Sequence, residues 1–399
     1  MGRNNKHKET SITGREVFLA YWKVIRHYKW WLLIILVGVS ISSVIELLVP
    51  IYYKQFFDVL VQDVPTTSKL FRLLYLVLAA NIAGWIVFRC MMLGVNRLEV
   101  WVMADLKKQS FSYMVDHSYG FFSNNFTGSL VQKLNRYSRA LERLADSLIF
   151  NVLPLFIRIV GVVSVTWFIN RFISIILLFL VIIFCTANFF FSRWKLKYNI
   201  KRAAADSHTT AILSDAVTNH TTIQLFTGSE YESAQFAQAA DDQALITRLS
   251  WDLDAFVDGV QALFMIFGEF LLFFYAVTFW EQGLITIGSF VLIQVYLLGL
   301  GGRLWNFSRI IRDFYEGMAD AKEMVEVLKL PHEIKDAPNA KELHVTKGKI
   351  EFKNIEFGFF EGSNVLDKIN LFINKGEKVA LVGPSGAGKS TLARLPKKV

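Results

Sequence analysis

Cysteine is scarce in this chain, and the few cysteines lie in apolar surroundings. Only Cys90 and Cys185 occur among the 399 residues, each inside a long apolar run. No disulfide framework is indicated, and both are interpreted as buried thiols that behave as small hydrophobic side chains. The sequence also lacks a nucleic-acid-binding module and a cluster of metal-ligating residues. Disulfide scaffolds and nucleic-acid-binding proteins are therefore not favoured.

The first 29 residues lack the features of a cleaved signal peptide. They carry seven Lys and Arg residues but no short apolar core and no small-residue cleavage site. The Met1–Lys6 segment also has no Ser or Thr where a myristoylation motif requires one. The segment Arg15–Lys29 mixes apolar and basic residues, which predicts an amphipathic helix along the inner membrane surface.

Apolar residues dominate the composition. Hydrophobic residues make up 53% of the chain and aromatic residues 15%, and the mean hydropathy is +0.37. The net charge is +9, but the basic residues concentrate beside the apolar stretches, which argues against nucleic acid as the partner. These properties indicate an integral membrane protein.

Six apolar stretches are long enough to cross a bilayer, which takes about 20 residues as a helix. They are Trp30–Tyr53, Leu70–Val95, Leu148–Ile169, Phe172–Phe191, Phe256–Trp280 and Ile285–Leu304. The two long connections, 96–147 and 192–255, hold seven and six Lys and Arg residues. The positive-inside rule therefore predicts that the N-terminus and both connections are cytoplasmic. Apolar residues recur at helical spacing in both connections, so the spans are expected to continue as helices beyond the membrane.

The pattern changes after the sixth span. Residues 308–330 predict an amphipathic charged helix, and a polar linker follows. From Ile350 apolar and polar residues alternate as in strands. The segment Gly383–Thr391 then fits the phosphate-binding pattern G-x-x-x-x-G-K-[ST], with residues 378–382 predicted as a buried strand before it and 391–395 as the start of a helix. Lys389 would place its charge near the terminal phosphates, and the Ser390 hydroxyl would hold Mg²⁺.

Taken together, these features resemble one half of an ABC exporter. Three patterns carry the resemblance: Phe121-Phe122 followed by 127–131, then 219–226, and then 350–359 with Val365-Leu366 and 376–392. The resemblance implies an all-α polytopic membrane domain of six transmembrane helices with long cytoplasmic extensions, followed by an incomplete α/β P-loop nucleotide-binding domain. The implied divisions are a basic tail and elbow helix at 1–29, the transmembrane domain at 30–330, a linker at 331–349 and the truncated ATP-binding domain at 350–399.

The same resemblance assigns roles to individual residues. Phe359 stands where the family usually has an aromatic residue that stacks on adenine, although it could also be a strand residue that packs inward. Segments 135–141 and 219–226 would be the coupling helices. ATP would be bound by Phe359, Gly383, Pro384, Ser385, Gly386, Ala387, Gly388, Lys389, Ser390 and Thr391, with Mg²⁺ on Ser390.

Several segments that the family needs for ATP hydrolysis have no counterpart in the sequence. The glutamine-bearing loop, the signature segment, the Asp-Glu strand and the switch histidine would all follow Thr391, and eight residues remain after it. The expectation is a truncated product that lacks its catalytic residues and hydrolyses ATP poorly.

Ionisable residues inside spans are costly and are candidates for function. Glu46 and Glu269 are the stronger candidates for a substrate path; interhelical pairing, or a position near the interface for Arg89 and Arg158, is the alternative. The polar residues Asn81 and Gln294 lie in spans as well.

The favoured function is an ATP-driven exporter subunit that moves a lipid, a hydrophobic drug or a peptide. By resemblance it would use ATP and Mg²⁺ and pair with a second half-transporter, identical or different, in the bacterial plasma membrane, with its nucleotide domain in the cytoplasm. One alternative is a non-hydrolytic remnant or regulatory half that binds membrane and partner. A membrane-anchored polybasic binding protein would explain the charge but leaves the phosphate loop unexplained.

Overall fold

The computed structural model describes residues 12–63, 65–332, 334–335, 339–340, 344–345, 348–358 and 364–395. Its contacts divide the chain into two units. The first unit comprises Met1–His27, Val100–Leu141 and Gly317–Val399, and the second comprises Tyr28–Glu99 and Glu142–Glu316.

The described part of the chain is mostly helical. Its helices are α1 (Gly14–Ile25), α2 (Lys29–Leu60), α3 (Thr67–Val115), α4 (Tyr119–Asn124), α5 (Thr127–Asp146), α6 (Leu153–Ile169), α7 (Arg171–Thr218), α8 (His220–Leu225), α9 (Ser229–Glu281), α10 (Ile287–Trp305), α11 (Phe307–Val327) and α12 (Lys389–Arg394). A 3₁₀ turn, Arg26–Tyr28, joins α1 to α2, and a π-helical segment, Ser147–Val152, joins α5 to α6. The strands are β1 (Ile350–Phe357) and β2 (Leu366–Ile373).

Six helical stretches are long and apolar enough to cross a membrane, judged by the length and composition of the described residues. The prediction of six membrane-length helices is therefore confirmed. Helix is the expected form because a chain in lipid must satisfy its backbone hydrogen bonds within each segment. The helices also continue well beyond their apolar parts, since α7 has 48 residues and α9 has 53.

The second unit is held together by an apolar core and a few buried polar contacts. Tyr296 is fully buried and donates a 2.7 Å hydrogen bond from its hydroxyl to the carbonyl of Leu47, which ties α10 to α2. The Gln261 amide donates to Asn188 Oδ1 at 2.5 Å and so links α9 to α7. The core includes Val162, Ile173, Leu177, Leu272, Leu292 and Ile293.

Short helices lie between the long ones. Helix α8 lies between α7 and α9, within the segment expected to be the second coupling helix. The expectation for the first tip was wrong, because residues 135–141 lie inside the 20-residue helix α5. The chain instead turns around α4, where the Ser118 side chain accepts a hydrogen bond from the Phe121 backbone and caps the helix. Helical spacing identifies a helix, whereas its ends depend on such caps.

In the first unit, α1 packs through one face. Val17, Tyr21 and Val24 are buried, and Tyr21 donates from its hydroxyl to the Tyr137 carbonyl at 2.9 Å. The rings of Tyr21 and Tyr137 also stack, with centroids 4.9 Å apart. The helix predicted over Arg15–Lys29 is present but shorter, over Gly14–Ile25, and its buried residues show the spacing expected of an amphipathic helix.

Strands β1 and β2 pair antiparallel, with Ile350 opposite Ile373 and Phe352 opposite Leu371. The ladder shifts register between Phe352 and Ile355, where Asn354 has a φ of 51°. The alternation in the sequence correctly predicted these two strands.

Candidate functional site

The candidate nucleotide site is the loop that precedes α12. Three of its glycines have backbone angles that side-chain-bearing residues rarely adopt, with φ of 149° at Gly383, 88° at Gly386 and 76° at Gly388. Helix α12 begins directly afterwards, at Lys389. Glycine is required here because a Cβ disfavours positive φ, and the resulting path can direct backbone N–H groups towards a bound anion.

The end of the loop packs closely against the start of β2. A Cβ added to Gly388 would lie 2.9 Å from Leu366 Cδ2 and 3.1 Å from the Val365 carbonyl oxygen, so no larger residue fits without movement. Leu392, on the first turn of α12, is also buried. These contacts fix the beginning of the helix relative to the hairpin.

The Lys389 ammonium group folds back over the loop. It donates to the Gly383 carbonyl at 2.7 Å and to the Pro384 carbonyl at 2.5 Å. The Ser390 side chain is exposed, and its hydroxyl has no hydrogen-bond partner among the residues that the structure describes. A cation inside a loop of exposed backbone amides, next to a free hydroxyl, fits the phosphates and the Mg²⁺ of a nucleotide.

The expectation of a buried strand at residues 378–382 was wrong. The segment forms no strand and is exposed, with Val382 at 88% of its maximal accessibility. Strands β1 and β2 pair only with each other within the described residues, so this segment has no strand beside it. A continuous apolar run becomes a buried strand only where neighbouring strands supply hydrogen bonds and cover both faces. Phe359, the expected adenine-stacking residue, lies outside the described residues.

In the second unit, Glu46 lies between two arginines. One of its carboxylate oxygens accepts from Arg158 Nη1 at 3.0 Å and from Arg303 Nη2 at 2.8 Å. Arg158 was considered for a position near the membrane interface, but it is paired with this carboxylate. The other arginine considered for the interface, Arg89, has its Cζ atom 5.8 Å from the centre of the Trp85 ring. Two guanidinium groups on one carboxylate leave a local excess of positive charge.

These three residues line a cavity of about 490 Å³. Its wall also contains polar Asn81 and the aromatic rings of Trp85 and Phe88. A concave site that combines charged and aromatic groups can hold an amphipathic molecule with a charged end. We call this cavity the arginine cavity.

Glu269, the second candidate for a substrate path, is not part of the arginine cavity. It accepts a 2.7 Å hydrogen bond from Gln294, which joins α9 to α10. The two acidic residues named from the sequence are therefore not brought together.

Sequence reasoning missed two residues that shape the arginine cavity. Arg303 was not singled out, although it stands inside the apolar run 285–304 and could have been noted as a charged residue within a span. Gly299 has a different role, because a Cβ there would overlap the Arg158 guanidinium. Only the three-dimensional contact identifies that role.

Two family models match the chain. The model described as the ABC transporter transmembrane region matches residues 32–304, well over half of the chain. The chain belongs to the ABC transporter family. A second model, described as ABC transporter, matches residues 366–397, which include the phosphate loop. Membership implies ATP as the nucleotide, typically with Mg²⁺.

Relatives of this ABC transporter match it at low sequence identity. ATP-binding cassette sub-family B member 6 of Homo sapiens is 26% identical over 369 residues, which cover 89% of this chain and 43% of the relative. The mitochondrial iron-sulfur clusters transporter atm1 of Neurospora crassa is also 26% identical, over 89% of this chain and 50% of the relative. The ATM1-type heavy metal exporter of Novosphingobium aromaticivorans is 28% identical over 67% of this chain and 44% of the relative. The chain spans about half the length of these curated relatives.

A solved structure has the same fold. A bacterial Atm1-family ABC exporter with ATP bound aligns with a TM-score of 0.69 at 24% identity, over 97% of this chain and 66% of that one. This similarity confirms the fold class expected from the sequence, and the six membrane-length helices support an integral membrane protein.

Proposed function

We propose that this chain is the membrane-spanning part of an ATP-driven exporter and that its loop 383–391 binds Mg·ATP. The observation that carries the proposal is the geometry of the loop: three glycines at positive φ, the Lys389 ammonium over the loop, and a helix that begins at that lysine. Ser390 would contribute its hydroxyl to Mg²⁺, which would in turn neutralise phosphate charge.

The experiment is a binding titration of the purified chain with a fluorescent ATP analogue, with and without Mg²⁺. Lys389→Ala is expected to weaken binding about tenfold, because a charged hydrogen bond contributes roughly 1.5–3 kcal/mol. Lys378→Ala removes the same charge from an exposed position outside the loop and serves as the control. Equal affinity in both variants would refute the role of the loop and favour a regulatory half-transporter that does not use ATP.

We also propose that the protein works with a second half-transporter, identical or different, as a dimer. One chain supplies six membrane-length helices and one phosphate loop, and the related fold is that of an Atm1-family exporter. We place it in a bacterial plasma membrane, since the exporter of known structure that it resembles is bacterial. The distribution of Lys and Arg supports an orientation with the phosphate loop and both long connections in the cytoplasm.

For the substrate we propose an amphipathic organic anion. This proposal narrows the lipid, drug and peptide classes to their acidic members. The support is the arginine cavity. There the two positive charges of Arg158 and Arg303 outnumber the single negative charge of Glu46, and aromatic rings supply an apolar wall. The names of the relatives mention iron-sulfur clusters and heavy metals. A metal ion bound to an anionic organic ligand would fit both the positive charge of the arginine cavity and the metals named for these relatives.

A pair of fluorescent peptides, one with a free carboxylate and one amidated, tests this substrate class. Arg303→Gln is expected to weaken binding of the carboxylate peptide roughly tenfold and to leave the amidated peptide unchanged. Arg309→Gln, at an exposed position on α11, is the matched control. A parallel loss for both peptides would mean that Arg303 has only a structural role.

A further inference from the structure

A second cavity, of about 700 Å³, lies in the first unit beside α1. We call it the elbow cavity. Residues of α1, α3, α5 and the C-terminal end of α11 line it, so four separate parts of the chain build one concave surface. Its lining includes Leu19, Trp22, Lys23, Arg26, Ser110 and Tyr137. Its volume lies in the range of sites that hold small ligands.

The wall of the elbow cavity is positively charged. Lys23, Arg26 and Lys329 line it, and Glu16 is the acidic residue among the lining groups. Glu16 forms an ion pair with Lys329, which, together with a hydrogen bond from the Thr13 backbone, lowers the pKa of the Glu16 carboxyl. Lys23 and Arg26 make no ion pair with any residue that the structure describes. Two cationic groups therefore remain for an anionic ligand.

The same lining contains the hydroxyl groups of Ser110 and Tyr137. Ser110 is 1% exposed and Tyr137 is 2% exposed. Neither hydroxyl makes a hydrogen bond within the described residues, although the Tyr137 backbone carbonyl accepts one from Tyr21. Both hydroxyl oxygens keep some accessible surface, so they can donate hydrogen bonds to a ligand with acceptor oxygens in the cavity.

Helix α1, which supplies part of the cavity lining, has the composition of a segment at a membrane interface. Phe18, Leu19 and Trp22 are exposed on α1, and the rings of Phe18 and Trp22 stack with centroids 6.0 Å apart. The first membrane helix, α2, begins at Lys29, three residues after Arg26. Exposed aromatic residues next to Lys and Arg on a helix that leads into a span are typical of segments that lie at the lipid headgroups.

We propose that the elbow cavity binds the headgroup of an anionic membrane phospholipid. The phosphate oxygens accept hydrogen bonds from Lys23, Arg26 and the hydroxyls of Ser110 and Tyr137, and the acyl chains leave along Phe18 and Trp22 towards the bilayer. A membrane lipid is favoured over a soluble anion because the charged groups adjoin exposed apolar residues that only an amphipathic ligand would cover.

The test measures binding of short-chain fluorescent phosphatidylglycerol to the purified chain in neutral detergent, with phosphatidylcholine of the same chain length for comparison. The double variant Lys23→Gln/Arg26→Gln is expected to weaken phosphatidylglycerol binding at least tenfold, about the effect of losing one or two charged hydrogen bonds. The control Arg15→Gln/Lys29→Gln removes two positive charges from the same region but outside the cavity lining, and less than a twofold change is expected. Ser110→Leu, which fills the cavity and keeps every charge, is expected to lose binding as well.

Three results would overturn the proposal. The first is an equal loss in the control pair, which would mean attraction to surface charge alone. The second is equal binding of phosphatidylglycerol and phosphatidylcholine. The third is full displacement by low millimolar inorganic phosphate, which would identify the ligand as a soluble anion. Since Lys23 and Arg26 are exposed, their replacement leaves the packing of α1 intact, and the double variant remains informative if Ser110→Leu fails to fold.

Discussion

At the scale of single residues, three carboxyl groups meet where α3 leaves its apolar segment. Glu99 lies four residues beyond the second predicted span, and Glu142 and Asp146 lie on α5. Burial, together with the negative charges of Asp146 and Glu142, raises the pKa of Glu99 to about 8. Burial and the charge of Glu142 likewise raise the pKa of Asp146. A pKa near 8 means that Glu99 is mostly protonated at neutral pH.

This arrangement predicts that the protein loses stability as the pH rises from about 5 to 8. The unfolded chain releases the Glu99 proton near its ordinary pKa of 4.5, whereas the folded chain keeps it to about 8. Unfolding thus releases a proton within this window, so higher pH favours the unfolded state. Glu99→Gln should flatten the pH dependence of the melting temperature by a few degrees, and exposed Glu230→Gln should not. An unchanged slope in Glu99→Gln would show that the carboxyl is ionised in the folded protein.

Single residues also mark the limit of sequence reasoning. The phosphate loop was predicted because its glycines, lysine and serine are consecutive, and their roles follow from that spacing. The ion pairs of Glu46 were not predicted, since its partners Arg158 and Arg303 lie 112 and 257 residues away in the chain. Periodicity reports neighbours along a helix and says nothing about which helices meet.

At the scale of elements, single residues separate some of the helices. Asn170 alone connects α6 to α7, and its side-chain oxygen accepts from the Phe172 backbone at 2.9 Å and from Ile173 at 3.2 Å. A cap of this kind satisfies backbone donors that the first turn of a helix leaves free.

Asn170→Ala is therefore expected to cost about 1 kcal/mol of stability, the usual effect of losing an N-cap. The melting temperature should fall by about 2–4 °C. Asn170→Asp keeps the acceptor and should retain most of the stability. If the alanine and aspartate variants melt at the same temperature, the cap contributes nothing measurable.

Elements were predicted well where local sequence decides them. The amphipathic pattern of α1, the long apolar helices and the alternation of β1 and β2 all describe surfaces of one segment. The prediction of a buried strand at residues 378–382 was wrong, because a strand of that type forms only beside other strands. The periodicity of apolar residues also did not predict the end of α5 or the π-helical segment Ser147–Val152.

At the scale of the whole molecule, the charge distribution predicts which parts face outward. Single cysteines can be placed at Gln62, Gln282 and Thr222 after Cys90 and Cys185 are replaced by serine. A maleimide that does not cross membranes should label positions 62 and 282 in intact cells, and position 222 only after the cells are opened. Labelling of position 222 in intact cells would invert the proposed orientation.

Helix α7 contains neither glycine nor proline in its 48 residues. It is about 72 Å long at 1.5 Å per residue, while the apolar part of a bilayer is about 30 Å thick. An unbroken helix of this length acts as a lever, because kinks arise mainly at proline, glycine or π-bulges. A tilt of about 10° within the membrane would carry its far end sideways by roughly 10 Å, because the displacement grows with the length of the helix. In this helix mechanical stiffness is a property of composition: a single proline near Ala205 would uncouple the two ends while leaving the membrane part intact.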